Sequence, residues 1–197
     1  MTHKWIMLML LAVAGAGCQS AKPTSSAPPR QDTAKARSDN DKAYELIRSG
    51  KFEQAEPLLR KAMDADVMYG PARNNLGLVY YHQEKLYAAA WEFESAIKLM
   101  PHQPEPRNNL GLVLEKAGKI DGATEAFAKA REMEPDNPEY LGNLARARVR
   151  RGDRDEQTRK LLEELLMKDE RPAWREWAQV NLFRMRPIDD SATRPAS

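Results

Sequence analysis

The sequence has very few of the residues from which metal and catalytic centres are commonly built. It contains one cysteine, Cys18, and three histidines, His3, His82 and His102. Zinc sites, disulfide frameworks and iron–sulfur centres each need several thiolates, and a catalytic triad or a multi-histidine metal site needs imidazole groups in register. We therefore expect no metal site, no cofactor and no catalysis that depends on cysteine or histidine.

An excess of charge of one sign is also absent. Lysine and arginine number 31 and aspartate and glutamate 29, a net charge of +2, so no overall field draws the chain to nucleic acid. The acidic residues alternate with lysine and arginine, which is typical of solvated helix faces and not of paired catalytic carboxylates. Gly118-Lys119 lacks the earlier glycine and the following hydroxyl residue of a nucleotide-binding loop. These absences predict a protein that is not an enzyme and binds no nucleic acid and no small-molecule substrate.

Aromatic residues make up only 7% of the chain, whereas the good helix formers Ala, Leu, Glu, Lys and Arg dominate it. A length of 197 residues suits one domain or a short repeat array. This composition predicts an all-α fold.

Only one long hydrophobic run occurs, at residues 5–14. As a helix these residues would extend about 15 Å, roughly half the thickness of the hydrocarbon core, so the run is too short to span a bilayer. A short positive start precedes it and small residues follow it, which is the pattern of a secretory signal. We expect residues 1–17 to be a signal peptide and the chain to be exported.

The segment Gly15-Ala16-Gly17-Cys18 resembles the lipobox of bacterial lipoproteins, although that motif usually has leucine where Gly15 stands. This resemblance implies cleavage before Cys18, acylation of its thiol and attachment to a membrane. Gln19 resembles a signal for sorting to the outer membrane. The alternative is cleavage after Ala16 by ordinary signal peptidase, which would release a soluble protein with a free thiol.

Residues 18–36 contain small, polar and charged residues and proline, with no bulky apolar side chain after the cysteine. Such a segment cannot join a core and is expected to be a flexible linker behind the lipidation site.

The remainder of the chain is repetitive. The seven residues 73–79 are identical to residues 107–113, at a spacing of 34. This period divides the chain into units at about 36–69, 70–103, 104–137 and 138–171. Glycine or alanine recurs at the eighth, twentieth and twenty-seventh positions of the first three units, and Leu59, Phe93 and Phe127 occupy the twenty-fourth.

In these residues the chain resembles the tetratricopeptide repeat family over about 130 residues. The resemblance implies an α-solenoid of about four helix-turn-helix repeats, in which the small residues permit close helix approach. Glycines recur at the predicted turns, and prolines are expected in the first turns of helices: Pro57, Pro71, Pro106 and Pro138.

The fourth unit departs from the pattern, with Gln157, Glu164 and Asp169 where alanine, alanine and proline are expected. Its apolar stripe still predicts a second helix, in a shifted position. After it, residues 172–185 carry apolar side chains at near-helical spacing: Trp174, Trp177, Val180 and Phe183. We expect a capping helix that covers the last repeat, with the tryptophans acting as a lid, so that the repeat domain spans 37–185 and a disordered tail spans 186–197.

A stacked helical array presents a concave face lined by the first helix of each unit. The positions that face it are the second, fifth, ninth, twelfth and thirteenth, and they combine amide, apolar and basic side chains. The residues predicted to line a binding groove are Asn40, Tyr44, Asn74, Leu78, Tyr81, His82, Asn108, Leu112, Lys116, Arg146 and Arg150. This surface favours a peptide with apolar anchors and acidic groups, whose backbone the asparagines would hold.

Two alternatives stay open for parts of this surface. Asn75 and Asn109 can equally fix one repeat to the next, and a cation at the thirteenth position can simply stabilise the end of the first helix against its dipole. A chaperone-type carboxylate clamp in this family uses lysine at the fifth position. Asparagine stands there in this chain, so binding of terminal carboxylates is not expected. The arginine-rich stretch at 146–154 is expected to be a solvated helix.

The sequence thus predicts a non-enzymatic scaffold for protein–protein interaction, anchored by lipid at the outer membrane and facing the periplasm. Small repeat lipoproteins of this design resemble assembly factors of type IV pili and secretins. The alternative is a soluble secreted or periplasmic chaperone or adaptor of the holdase type, without a lipid anchor.

Overall fold

A computed structural model describes residues 31–185 of the chain. The predicted signal peptide, Cys18, most of the predicted linker and the predicted tail lie outside the described residues. Within 31–185 the chain forms nine α-helices and no strand, which confirms the all-α prediction. They are α1 (Thr33–Arg48), α2 (Phe52–Ala65), α3 (Gly70–His82), α4 (Leu86–Leu99), α5 (Glu105–Lys116), α6 (Ile120–Met133), α7 (Pro138–Arg151), α8 (Glu156–Lys168) and α9 (Pro172–Arg184).

The helices pack in sequential pairs that stack into an array. Helix α1 packs mainly on α2, α3 on α4 and α5 on α6, and each pair then contacts the next through α2–α3, α4–α5 and α6–α7. The first helices α1, α3, α5 and α7 also touch one another in that order. They therefore lie side by side and form one face of the array.

The turns within the pairs need backbone in the left-handed region. Gly50, Gly118 and Gly152 adopt φ values of 71°, 75° and 96° there, which glycine reaches without steric cost. In the second unit Glu84 occupies the corresponding turn with φ 59°. Its carboxylate accepts a hydrogen bond from Lys116 Nζ at 3.0 Å, so this turn contacts the following unit.

Close approach of the paired helices depends on glycine facing an aromatic ring. Phe93 and Phe127 are completely buried, and each ring lies against a glycine of the partner helix. A Cβ atom added at Gly111 would lie 2.5 Å from Phe127 Cε1, and one added at Gly77 would lie 2.6 Å from Phe93 Cε1. The repeated glycine of the seven-residue motif is therefore explained by the space that the aromatic ring of its own unit occupies.

The first helix begins earlier than the boundary at residue 37 that we assigned to the repeat domain. Asp32 caps α1 by accepting a hydrogen bond from the Lys35 amide at 3.0 Å, and Thr33 Oγ1 donates to Asp66 Oδ2 at 2.6 Å. Ala36 is completely buried in the core. The predicted boundary relied on bulky apolar side chains to recognise the core. Where helices approach closely, an alanine can be a core residue, so Ala36 was not recognised.

Pro57 does not lie in a first turn, as predicted, but is the sixth residue of α2. Proline has no amide hydrogen, so the carbonyl of Glu53 loses its helical donor. Pro57 and Glu53 are both exposed, and water can therefore take the place of that donor. The other three prolines named above do fall in the first turns of α3, α5 and α7.

The unusual polar residues of the fourth unit are held by specific partners. Glu164 accepts a hydrogen bond from Arg131 Nη2 of α6 at 2.7 Å, which joins α8 to the preceding unit. Asp169 is buried at the end of α8 and pairs with Arg171 at 2.5 Å. These ion pairs stand where the second and third units have an alanine and a proline.

Helix α9 covers the end of the array with one of its faces. Trp174 and Trp177 pack with the buried residues of α7 and α8 and meet edge to face, their ring centroids 5.7 Å apart. Val180 and Phe183, which we predicted to share this role, are 42% and 70% exposed. At 100° per residue Phe183 projects from the side opposite Trp174 and Val180 from the flank of the helix, so only part of the predicted apolar set forms the lid.

Candidate functional site

Asparagine side chains connect neighbouring first helices along the concave face. In each contact the side-chain Nδ2 of the sixth residue of one unit donates to the side-chain Oδ1 of the fifth residue of the preceding unit. The three bonds are Asn75 to Asn40 at 2.8 Å, Asn109 to Asn74 at 3.1 Å and Asn143 to Asn108 at 2.8 Å. Because buried amides need such partners, these bonds fix the register of one repeat on the next.

This arrangement corrects the role predicted for two of the asparagines. Asn40 and Asn108 are only 6% and 2% exposed, so they cannot present a free amide to the backbone of a peptide. Asn74 is half-buried and faces the concave surface. The amides thus serve mainly to join repeats, which is the role that the sequence left open for Asn75 and Asn109.

The predicted row of basic side chains is engaged within the array. Arg146 donates two hydrogen bonds to Glu115, at 3.1 and 2.8 Å, and Arg150 Nη1 lies 2.9 Å from the same carboxylate. Lys116 pairs with Glu84 and lies over the Tyr81 ring, 5.1 Å from its centroid. These cations are therefore already paired within the array, and an acidic group of a peptide would have to compete with Glu84 and Glu115 for them.

His82 also has an intramolecular contact. Its ring stacks on Phe52 with centroids 4.5 Å apart and an interplanar angle of 12°. Partial burial is the main cause that lowers the pKa of His82, and the nearby charge of Lys116 acts in the same direction. His82 therefore packs as a neutral ring at the end of α3.

The arginine-rich stretch of α7 is also largely neutralised by its neighbours. Arg148 Nη2 lies 2.8 Å from Asp155 Oδ2, and Arg151 pairs with Asp153 at 2.5 Å. Arg154 donates to the carbonyl of Arg184 at 3.1 Å. The stretch closes the α7–α8 turn and does not form a free basic patch.

A pocket of about 720 Å³ opens at the centre of the concave face. It is bounded by α3 and α5, by the start of α7, by the connection between α4 and α5, and by one residue of α1. Of the predicted groove residues it brings together Tyr44, Asn74, Leu78 and Asn108. The remaining seven do not line it: Asn40, Tyr81, His82, Leu112, Lys116, Arg146 and Arg150.

Several residues of this pocket were not among the predicted groove residues. Most come from the first turns of three helices and from the end of α4 with the connection after it. They are Pro71, Asn75, Leu99, Met100, Pro101, His102, Gln103, Glu105, Pro106, Asn109, Glu139 and Tyr140. The prolines and Met100 supply apolar surface, whereas Glu105 and Glu139 are exposed carboxylates. The pocket therefore combines apolar walls with negative charge.

Tyr140 lies in the pocket close enough to three glutamates to interact with their negative charges. The residue is 4% exposed, and its hydroxyl forms no hydrogen bond with any residue of 31–185. Burial is the largest cause that raises the pKa of Tyr140, followed by the negative charges of Glu105, Glu134 and Glu139. Its phenol therefore stays protonated and neutral at physiological pH, with an unused donor and acceptor.

Searches for other kinds of site within the described part of the chain give no candidate. No group of three or more histidine, cysteine or carboxylate side chains among residues 31–185 could hold a metal ion. Over the same range, no helix has the length and apolar character that crossing a membrane requires.

Two models of the tetratricopeptide repeat match the chain, one over residues 40–104 and the other over residues 114–177. Together they cover about two thirds of the sequence. The chain belongs to the tetratricopeptide repeat family. Members of this family generally act as interaction modules without catalytic activity, and they bind partners on extended concave surfaces. No curated protein sequence matches the chain.

Solved tetratricopeptide repeat structures share the fold at low sequence identity. PilF of Pseudomonas aeruginosa is 21% identical with a TM-score of 0.70, over 82% of this chain and 72% of PilF. MamA is 23% identical with a TM-score of 0.63, over 72% of this chain and 82% of MamA. The first repeat domain of Spaghetti (RPAP3), bound to the HSP90 peptide SRMEEVD, is 21% identical with a TM-score of 0.61, over 64% of this chain and all of that domain.

Proposed function

We propose that this tetratricopeptide repeat protein is a non-enzymatic scaffold that recruits a partner protein by binding one of its segments in the central pocket. The observation that carries the proposal is the open pocket of about 720 Å³ on the face where the first helices meet. Its exposed Tyr44 and its apolar walls are the kind of surface on which peptides are anchored.

The proposal includes a place for the protein in the cell. Residues 1–17 and Cys18 resemble a lipoprotein signal, and the polar sequence of residues 19–30 supports a tether between Cys18 and α1. Several acyl chains on Cys18, at about 0.8 kcal/mol for each buried methylene, would hold the protein at a membrane. We place it at the outer membrane facing the periplasm, where its partner would be a component of an envelope complex such as a type IV pilus or a secretin.

Crosslinking from the pocket tests the scaffold function. With the photoreactive benzoylphenylalanine in place of Tyr44, which is 46% exposed and lines the pocket, we expect illumination of intact cells to trap one envelope protein. That protein, once identified and purified, should bind the Tyr44→Ala variant at least about tenfold more weakly than the unmodified chain, a loss of about 1.4 kcal/mol.

Tyr87 supplies the matched control for this experiment. It is 90% exposed on α4 and does not line the central pocket. The same photoreactive group at Tyr87 should not trap the partner, and Tyr87→Ala should leave its affinity unchanged. Equal trapping from both positions, or equal binding by both alanine variants, would contradict docking in the pocket.

Mass spectrometry of the mature amino terminus tests the anchor. We expect protein from the membrane fraction to begin with an acylated Cys18 and the Cys18→Ser variant to leave that fraction. A mature chain that begins with a free amine at Gly17 would rule out the lipid anchor and favour the soluble chaperone.

A further inference from the structure

The charge of the central pocket indicates what kind of segment it accepts, if the proposed function is correct. No lysine or arginine lines the pocket, whereas two glutamates do. Glu105 and Glu139 come from the first turns of α5 and α7, and both are exposed to solvent. The pocket therefore carries a negative charge although the whole chain is close to neutral.

Neither carboxylate is neutralised by an ion pair within residues 31–185. Glu139 Oε1 accepts only a neutral hydrogen bond, from Asn108 Nδ2 at 3.2 Å, and Glu105 has no side-chain partner among the described residues. Arg171 is near enough to Glu139 to interact with its charge, but the guanidinium is bound to the buried carboxylate of Asp169. Both glutamates can thus receive an external cation.

Tyr140 provides a second and independent indication that a polar ligand enters here. Its hydroxyl belongs to a side chain that is more than nine-tenths buried, lines the pocket and has no hydrogen-bond partner among the described residues. This oxygen is not among the fully enclosed polar atoms that lack a partner, so it is open to the pocket and available to a ligand that brings its own donors. An ammonium or guanidinium group brings three or five of them.

The cations of the concave face cannot reverse this charge, because they are bound elsewhere. Glu115 holds Arg146 and Arg150, and Glu84 holds Lys116. None of these three cations lines the pocket. The array therefore separates its charges, with the positive ones paired between helices and the negative ones left open in the pocket.

We propose that the pocket selects a segment of the partner protein that presents a lysine or arginine flanked by apolar residues. Glu105 and Glu139 receive the cation, Tyr140 accepts one of its hydrogens, and Leu78, Met100 and the pocket prolines contact the apolar neighbours. Tyr44 adds an aromatic ring at the edge, a surface that also attracts cations. An acidic segment such as the HSP90 peptide bound by RPAP3 would meet two unscreened carboxylates and be rejected.

An array of random heptapeptides with a fixed central residue tests this selectivity directly. Probed with the labelled protein, pools centred on lysine or arginine should bind, and pools centred on glutamate or leucine should not. For the best lysine peptide, fluorescence anisotropy should show that Kd rises as sodium chloride increases from about 0.05 to 0.5 M, because salt screens exposed charge pairs.

Glutamine substitutions then assign the selectivity to the two carboxylates. Glu105→Gln and Glu139→Gln should each weaken the lysine peptide about threefold, and the double variant about tenfold, with a smaller salt dependence. Glu53→Gln is the matched control, because Glu53 is also an exposed first-turn glutamate but lies outside the pocket. It should bind like the unmodified protein and reveal any general effect of losing a charge at a helix start.

The outcomes separate this inference from the proposed function. In one outcome Tyr44→Ala weakens peptide binding, but the protein prefers glutamate, prefers a free carboxyl end or shows no preference for charge. This outcome would overturn the cation preference and leave peptide binding in the pocket in place. Binding of no peptide, or binding that Tyr44→Ala does not affect, would overturn both. The selectivity of the unmodified protein among the pools needs no variant, so it remains decisive if the double variant folds poorly.

Discussion

Replacing Phe127 by alanine is expected to lower the free energy of unfolding by about 3–5 kcal/mol. Phe127 is completely buried between α5 and α6 and joins the cluster that holds α7 on this pair. Its loss would leave a cavity that the rigid helices close only in part, because protein interiors are closely packed. Urea denaturation followed by circular dichroism at helix wavelengths measures the change.

Two further variants give this prediction its control and its mechanism. Tyr87→Ala removes another aromatic ring, but one that is 90% exposed, and should change stability by less than about 0.5 kcal/mol. Gly111→Ala places a Cβ 2.5 Å from Phe127 Cε1 and should cost about 1–3 kcal/mol alone. Added to Phe127→Ala, the same methyl group enters the vacated space and should cost much less. If the free-energy costs of the two substitutions simply add, the space for the Phe127 ring is not the reason for glycine at position 111.

These packing contacts are the part of the structure that the sequence predicts best. The sequence repeats every 34 residues and has glycine or alanine at three positions of each of the first three units and a large apolar residue at a fourth. This pattern is typical of helices that approach each other closely. The small residues predict the close approach, and the structure shows which ring fills the space, Phe93 against Gly77 and Phe127 against Gly111. Departures occur where small or polar residues replace bulky ones, as at Ala36, which belongs to the core of α1 although it resembles the linker.

The candidate site is less predictable, because the sequence does not show which side chains on one face satisfy each other. Asn40 and Asn108 stand at a position that faces the concave surface, yet each is bound by an asparagine 35 residues later in the chain. Glu115 stands at the twelfth position of its unit with no partner evident from the sequence, and the structure shows that it binds Arg146 and Arg150 of the following unit. Both results depend on the lateral distance between first helices, which the repeat pattern leaves undetermined.

A signal for the pocket was nevertheless present at the second position of the units. That position carries Pro71, Glu105 and Glu139 in the last three units, which line the pocket, and Arg37 in the first, which does not. It lies in the first turn, so its side chain extends towards the connection from the preceding unit, here residues 100–103. The later positions present mainly basic charge, whereas the second position of the last two units adds the two carboxylates of the pocket.

The ion pairs of Glu115 lead to the second large expected effect. Its carboxylate is 7% exposed and holds Arg146 and Arg150 of α7, so it joins α5 to α7 across the concave face. Glu115→Gln keeps the shape of the side chain but leaves the two guanidinium groups without a counter-charge. We expect a loss of about 1–3 kcal/mol in the free energy of unfolding at pH 7. The exposed Glu94, which has no ion pair within residues 31–185, provides the control variant Glu94→Gln, for which a change below about 0.5 kcal/mol is expected.

The loss in the Glu115→Gln variant should depend on pH in a defined direction. Burial acts to raise the pKa of Glu115, but the hydrogen bonds and positive charges of Arg146 and Arg150 outweigh it, so the pKa lies below its ordinary value of 4.5. A carboxyl whose folded-state pKa is lowered contributes its full stability above the unfolded-state value and loses that contribution as the pH falls through the folded-state value. The difference between the unmodified protein and Glu115→Gln should therefore be constant from pH 7 to about 5 and shrink below pH 4.5. Comparison of the two proteins at each pH cancels the titration of the other carboxylates. A difference that stays constant down to about pH 3 would show that the charge of Glu115 does not hold α7 against α5.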